Sequence, residues 1–198
     1  LSRELLKRGN HKLSSKQGVW TLPRSTCIGA GICAKFCYAK KMENMPNVRI
    51  SRAWKLEQTK GSDFKSRIIA EIRKRKFKVI RIHESGDYYC QAYVDTWKDI
   101  ARSIPEITFY SFTKAFQLDL WSNLPSNFII IQSYGSKFDE KIDSTKSTGR
   151  VIEKLTDLRI TDYLCPYYHH VEGFKCGKDC SYCFSQEPKV KQVAFIMH

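Results

Sequence analysis

The sequence predicts an α/β fold, a partial (βα) barrel with a cysteine-rich C-terminal loop region. Three observations carry that expectation. Short apolar runs alternate with amphipathic stretches, the pattern of parallel strands joined by crossover helices. The runs are apolar on both alternations, as strands in a covered sheet are. Residues able to do chemistry fall just after the runs, where parallel sheets collect ligands beyond the carboxyl ends of their strands.

Residues 17–22 read as a short strand ended by Pro23, and a loop with Cys27, Gly29 and Gly31 leads into a helical stretch reaching Met42. Val48–Lys60 and Asp63–Lys76 read as amphipathic helices broken at Gly61, with Ile68, Ile69 and Ile72 on one face and Ser62 as the expected cap of the second. Lys78–His83 is the next strand, and the loop Glu84–Asp87 ends it. A helix over about Tyr89–Ser103 carries Tyr93, Trp97, Ile100 and Ala101 at helical spacing, and Pro105 stops it. Ile107–Phe112 is a strand closing on Thr113 and Lys114, followed by a short helix around Gln117–Asn123. Phe128–Gln132 is a strand leading to Ser133, Tyr134 and Gly135. Residues 136–149 read as loop, Val151–Leu155 and Leu158–Tyr163 as weaker strands, and Lys191–Met197 as a last strand. An open, flavodoxin-like sheet is the alternative architecture for the same elements.

The 198 residues, 42% hydrophobic, are enough for a sizeable core, which excludes a disordered chain. No run of 18 apolar residues occurs, so no membrane span is expected, and the first residues lack the apolar core of a signal peptide. A cytoplasmic location is the expectation. Net charge is +14, which favours polyanionic partners, nucleic acid first among them. The block Arg73–Lys76 also suits the end of a helix, where cations complement the dipole.

Eight cysteines are the most informative feature, because they cluster. Cys27, Cys33 and Cys37 are spaced x5 and x3; Cys165, Cys176, Cys180 and Cys183 are spaced x10, x3 and x2; Cys90 stands alone. Tight clusters in a chain with its own core and no export signal point to metal before disulfide. The division that follows is residues 1–164, a partial barrel with a three-cysteine loop, and residues 165–198, a four-cysteine extension. Three thiolates on a 4Fe–4S cube leave one iron open to a small molecule, and glycines 29 and 31 allow the loop to wrap closely. Zinc completed by Cys90 or His83 is the alternative for this group. The second group supplies four thiolates among the aromatics Tyr167, Tyr168, Phe174, Tyr182 and Phe184, and suits a closed 4Fe–4S cluster or a tetrahedral zinc equally. His169 and His170 are adjacent and read as polar loop residues.

Lys12-Leu13, Trp20-Thr-Leu-Pro23, Cys27 through Cys37-Tyr-Ala39, Arg81-Ile-His-Glu-Ser-Gly-Asp87, Phe112-Thr-Lys114 and Cys176-Gly-x2-Cys180-x2-Cys183-Phe184 together resemble the phage "gene 88 product" family. The resemblance implies an iron–sulfur protein of phage or mobile-element type. In layout the chain also resembles radical S-adenosylmethionine enzymes, in which a three-cysteine loop after the first strand holds the cluster. That likeness implies that Gly86 and Asp87 receive the methionine amino group, with Tyr38 and Phe36 near the adenine. The x5 and x3 spacing departs from the x3 and x2 of those enzymes. The functional expectation is therefore a cluster protein with possible S-adenosylmethionine chemistry on an unidentified substrate. The alternative is a zinc- or cluster-stabilised nucleic-acid-binding or redox-sensing protein. Lys114, Ser133 and Tyr134 are further strand-end candidates.

Overall fold

A computed structural model describes residues 3–169 and 173–197. Its strands are β1 (Lys7–Arg8), β2 (Gln17–Val19), β3 (Val79–Ile82), β4 (Thr108–Thr113), β5 (Phe128–Ser133), β6 (Thr148–Ile152), β7 (Tyr163–Leu164) and β8 (Gln192–Ile196). They form one eight-stranded sheet in the spatial order β1-β2-β3-β4-β5-β6-β8-β7. Every pairing is parallel except β1 with β2. The sheet is open, because β1 and β7 at its two edges are not paired with each other.

The α-helices of the described residues all precede β4: α1 (Tyr38–Glu43), α2 (Pro46–Gln58), α3 (Phe64–Arg75) and α4 (Gln91–Ser103). Pro46 starts α2 at a position where its missing N–H costs nothing. The C-cap Lys76 is left-handed at φ 56°, and Arg73, Lys74 and Arg75 fill the last turn of α3. Arg75 is tied to Glu4 and Glu71, so part of this basic block is consumed by ion pairs. On α4, Tyr93, Val94, Trp97, Ile100 and Ala101 are buried at i, i+1, i+4, i+7 and i+8, a single apolar stripe. It packs with Phe64, Ile68 and Ile72 of α3 against Ile80 and Ile82 of β3, Phe109 of β4, and Phe128 and Ile130 of β5. Each of these side chains contributes about 1.5–3 kcal/mol by leaving water.

The opposite face of the sheet carries Val19, Arg81, Tyr110 and Phe112, since strand side chains alternate. This face is concave. Five strand spacings separate β2 from β8, about 24 Å in a flat sheet. Yet the ammonium of Lys12, beside β2, lies 5.1 Å from the centre of the Phe195 ring on β8. Phe112 of β4 also meets Phe195 edge-on at 5.5 Å. The sheet therefore curls around this face, and the cysteine-rich C-terminal segment fills the hollow.

Several expectations are corrected. Residues 117–123 form turns rather than a helix. There the Ser122 N–H donates to the Asp119 carboxylate, and Lys98 donates to the carbonyls of Asp119 and Ser122. Residues 136–149 are not all loop, because β6 begins at Thr148 and pairs with Gln132. The candidate strand 158–163 contracts to Tyr163–Leu164. β1 was not expected, and Ser62 does not cap α3, whose N-cap is Asp63 with no side-chain bond. The division at 164/165 does not part the sheet, since β8 lies between β6 and β7. No helix among the described residues is long and apolar enough to cross a membrane.

Candidate metal centres

The first thiol group is built where the parallel strands end. Beyond β2 the chain stays extended, with the Trp20 N–H donating to the Arg81 carbonyl and the Leu22 N–H to that of Ser85. Pro23 turns it into one 3-10 turn, Arg24–Thr26, that presents Cys27. The loop then lies flat on the ends of β4 and β5. Gly31 and Cys33 donate backbone hydrogen bonds to the Gly135 carbonyl, and Lys137 donates to that of Gly29. A Cβ on Gly29 would stand 1.9 Å from the Lys114 carbonyl oxygen, so only glycine fits this approach. Cys37 then caps α1.

Burial pushes the Cys27 thiol up to about 12, and the neighbouring Asp87, Cys37 and Cys33 push it in the same direction, against Lys114. The three sequence-predicted thiols are thus brought into one another's field. An uncompensated thiolate is costly here, and the Lys114 ammonium is the nearby cation that opposes that cost. Lys114 reaches the Ser133 hydroxyl across the strand ends.

Asp87 is buried at the centre of this mouth. Its Oδ1 accepts from the Tyr88 N–H at 2.8 Å and the Thr113 hydroxyl at 2.7 Å, and its Oδ2 from the Lys114 N–H at 2.8 Å. Burial raises its carboxyl to about 6, with these bonds opposing the rise. Three of about four acceptor positions are used within the chain, so Asp87 ties β3 to β4. It does not cap α4; Cys90 stands at that position. Gly86 has φ 80°, and a Cβ there would stand 2.5 Å from that of Leu22. The ring of Tyr38 is exposed, while its hydroxyl is turned in to donate to the Glu84 carbonyl. Burial of that hydroxyl, with the Glu84 charge, raises its pKa. Tyr134 lies against Arg159, whose guanidinium is 5.4 Å from its ring centre.

The two fourth ligands offered for the zinc alternative, Cys90 and His83, both pack on the helix-side core. His83 is fully enclosed, its Nε2 3.1 Å from the Tyr93 hydroxyl and its ring edge-on to Tyr88.

The second thiol group occupies the concave face. Cys165 follows β7 and donates its N–H to the Ala194 carbonyl on β8. Cys176 is clamped to the N-terminal segment: its N–H donates to Lys12, and its carbonyl accepts from the Ser14 N–H and from Gln17 Nε2. The Gly177 N–H donates to the Cys180 carbonyl, closing the turn between these two cysteines. Cys180 Sγ lies 3.5 Å from the Tyr163 hydroxyl, and Tyr163 stacks on Tyr182 at 4.0 Å. Burial pushes the Cys183 thiol up to about 12, with Cys176, Cys165 and Cys180 adding to the rise and Arg81 opposing it. Burial likewise raises Cys176 and Cys165, and Cys180 adds to both. The four thiols share one field. The histidine pair 169–170 rests on side chains outside the described residues.

Sequence reasoning missed the cation beneath this group. Arg81 lies in the hollow, its guanidinium carbon 5.0 Å from the Tyr110 ring centre and 4.3 Å from that of Phe112. The available signal was a charge at the third position of an apolar strand, Val79-Ile-Arg-Ile82.

All eight cysteines are free thiols. Among the described residues, no three His, Cys, Asp or Glu side chains are set to hold a metal ion directly. The fit to a metal therefore rests on the thiol chemistry of the two groups and on the mutual influence of their charges.

A model of the family described as "Gene product 88" matches residues 4–189. The chain belongs to that family. Its relatives include the Gene 88 protein of Mycobacterium phage L5, 31% identical over 114 residues, covering 52% of this chain and 46% of the relative. The Gene 88 protein of Mycobacterium phage D29 is 29% identical over 114 residues, covering 52% and 45%. The chain thus spans about half the length of these curated relatives. No solved structure matches. Both thiol groups lie inside the stretch matched by the family model.

Proposed function

We propose that this family member is a two-centre iron–sulfur protein of phage type, acting in the host cytoplasm. Cys27, Cys33 and Cys37 hold a 4Fe–4S cluster with one open iron at the mouth of a partial (βα) barrel. Cys165, Cys176, Cys180 and Cys183 hold a second, fully ligated cluster in the hollow. What supports this reading is that thiols within each group feel one another's charge, and that a half-buried cation acts on each group. Lys114 serves the first group and Arg81 the second, and neither forms an ion pair with a carboxylate among the described residues. Such cations suit an anionic inorganic centre.

When bound, an open-iron cluster supplies one-electron chemistry to a small ligand, S-adenosylmethionine being the candidate with matching amino and carboxylate groups. The chain's own contribution is placement. Gly29, Gly31 and Gly135 let the loop backbone lie on the strand ends, and Asp87 fixes the floor through three hydrogen bonds. Asp87 keeps about one acceptor position for a ligand ammonium. The Gly86 backbone supports that turn, and the Tyr38 ring stands free at the rim for an adenine.

Anaerobic purification with iron and sulfide counts tests the reading. About eight irons and eight sulfides per chain are expected, with a brown colour. S-adenosylmethionine should change the paramagnetic spectrum of one centre alone. A colourless protein carrying zinc would replace this reading with a zinc-stabilised one.

A further inference from the structure

The mid-strand cation Arg81 is costly where it stands. It projects into the hollow from β3, directly across from Tyr110 of β4. Its planar group stacks on Tyr110 and Phe112, a contact a guanidinium makes better than an ammonium. Among the described residues it belongs to no ion pair. A half-buried charge without an acid opposite is destabilising on its own.

Its surroundings lead to the second thiol group. The Tyr110 hydroxyl donates to Gln17 Oε1 at 2.9 Å, and Gln17 Nε2 donates to the Cys176 carbonyl at 2.8 Å. The Tyr110 ring packs 5.1 Å from Phe184, the neighbour of Cys183. The Arg81 charge also acts on Cys176 and Cys183.

We propose that Arg81 is the counter-charge of the C-terminal centre and sets its reduction potential. The inference rests on the two-centre reading above. A ligated cluster is anionic and gains a further negative charge on reduction, so a nearby fixed cation favours the reduced form. Stacking on two rings holds the guanidinium in place without a carboxylate that would cancel its field.

The test is a redox titration of the anaerobic full-length chain, followed by paramagnetic spectra, for wild type, Arg81→Gln and Arg81→Lys. Arg102→Gln, on the exposed end of α4, is the control. In Arg81→Gln the midpoint potential of the C-terminal centre should move to a more negative value, with iron content retained and the other centre unmoved. Arg81→Lys should stay near wild type, and so should the control. If Arg81→Gln loses iron while Arg81→Lys keeps both iron and potentials, the charge is required for assembly, which also supports the proposal. Full iron with unmoved potentials in Arg81→Gln would overturn it and leave the two-centre reading standing. Equal losses in Arg81→Gln and Arg81→Lys would overturn it too, by making packing the cause. Iron-free wild type would sink the two-centre reading, and this inference with it.

Discussion

The two thiol groups are alike in that every thiol is half-buried, and they differ in the side chains around them. The first is rimmed by exposed apolar side chains: Ile32 is 58% exposed, Phe36 61% and Tyr38 55%. The second lies inside the curl of the sheet, against Tyr110, Phe184 and the stacked Tyr163–Tyr182 pair. One is a loop laid over strand ends; the other is held by strands on both sides. The first group thus meets solvent beside apolar side chains, and the second packs among rings.

The largest effect expected from breaking this comparison is loss of metal. Replacing Cys27, Cys33 and Cys37 with Ala should remove roughly half the iron and abolish any response to S-adenosylmethionine. The Cys176, Cys180 and Cys183 triple variant should remove the other half and leave that response. Loss of all metal from the second variant alone would mean that the first group binds nothing.

Next in size is a comparison of glycines. Gly29→Ala meets backbone oxygen at 1.9 Å, whereas Gly177→Ala meets the movable end of Gln17 at 2.1 Å, with φ 88° adding strain. Gly29→Ala should cost about 3 kcal/mol in chemical denaturation and deplete the first centre only. Gly177→Ala should cost about 1–2 kcal/mol.

Acid should separate the regions as well. Burial holds the His83 imidazole down to about 3 from an ordinary 6.5. A depressed base contributes stability above its unfolded pKa, and that contribution fades as pH falls from about 6.5 toward 3. Asp87, raised to about 6, works the other way between its ordinary 3.8 and 6, but the His83 window is wider. Protection factors over residues 83–88, taken relative to the intrinsic exchange rate at each pH, should therefore fall on acidification before those in β8 do. The smallest expected effect is at the rim. Phe36→Ser should change stability by less than about 0.5 kcal/mol, while Phe184→Ser should cost several times more.

Legibility followed the same division. β3, α4 and β5 could be read because apolar residues recur at the period of the element they form. Thr148 and Gly149 of β6 could not, since a polar residue and a glycine conceal a strand. That glycine is needed where a Cβ would stand 2.8 Å from the Phe112 ring. The turns at 117–123 resembled a helix because Leu118, Leu120, Trp121 and Leu124 are apolar, and the core takes them up without helical hydrogen bonds. At the candidate site, thiol spacing was readable and enclosure was not. That Cys176 meets Lys12 and Ser14 depends on pairing across more than 160 residues, which no local pattern records. The role of Asp87 as a tie between strands was hidden for the same reason, its partners Thr113 and Lys114 lying on β4 and just beyond it.

The insertion of β8 between β6 and β7 orders events during synthesis. Everything that shapes the first pocket, from Cys27 to Ser136, leaves the ribosome well before Val193 and Ala194, which close the wall beside Cys165. The first pocket can thus take shape on a nascent chain, while the inner one waits for the final strand to slot home.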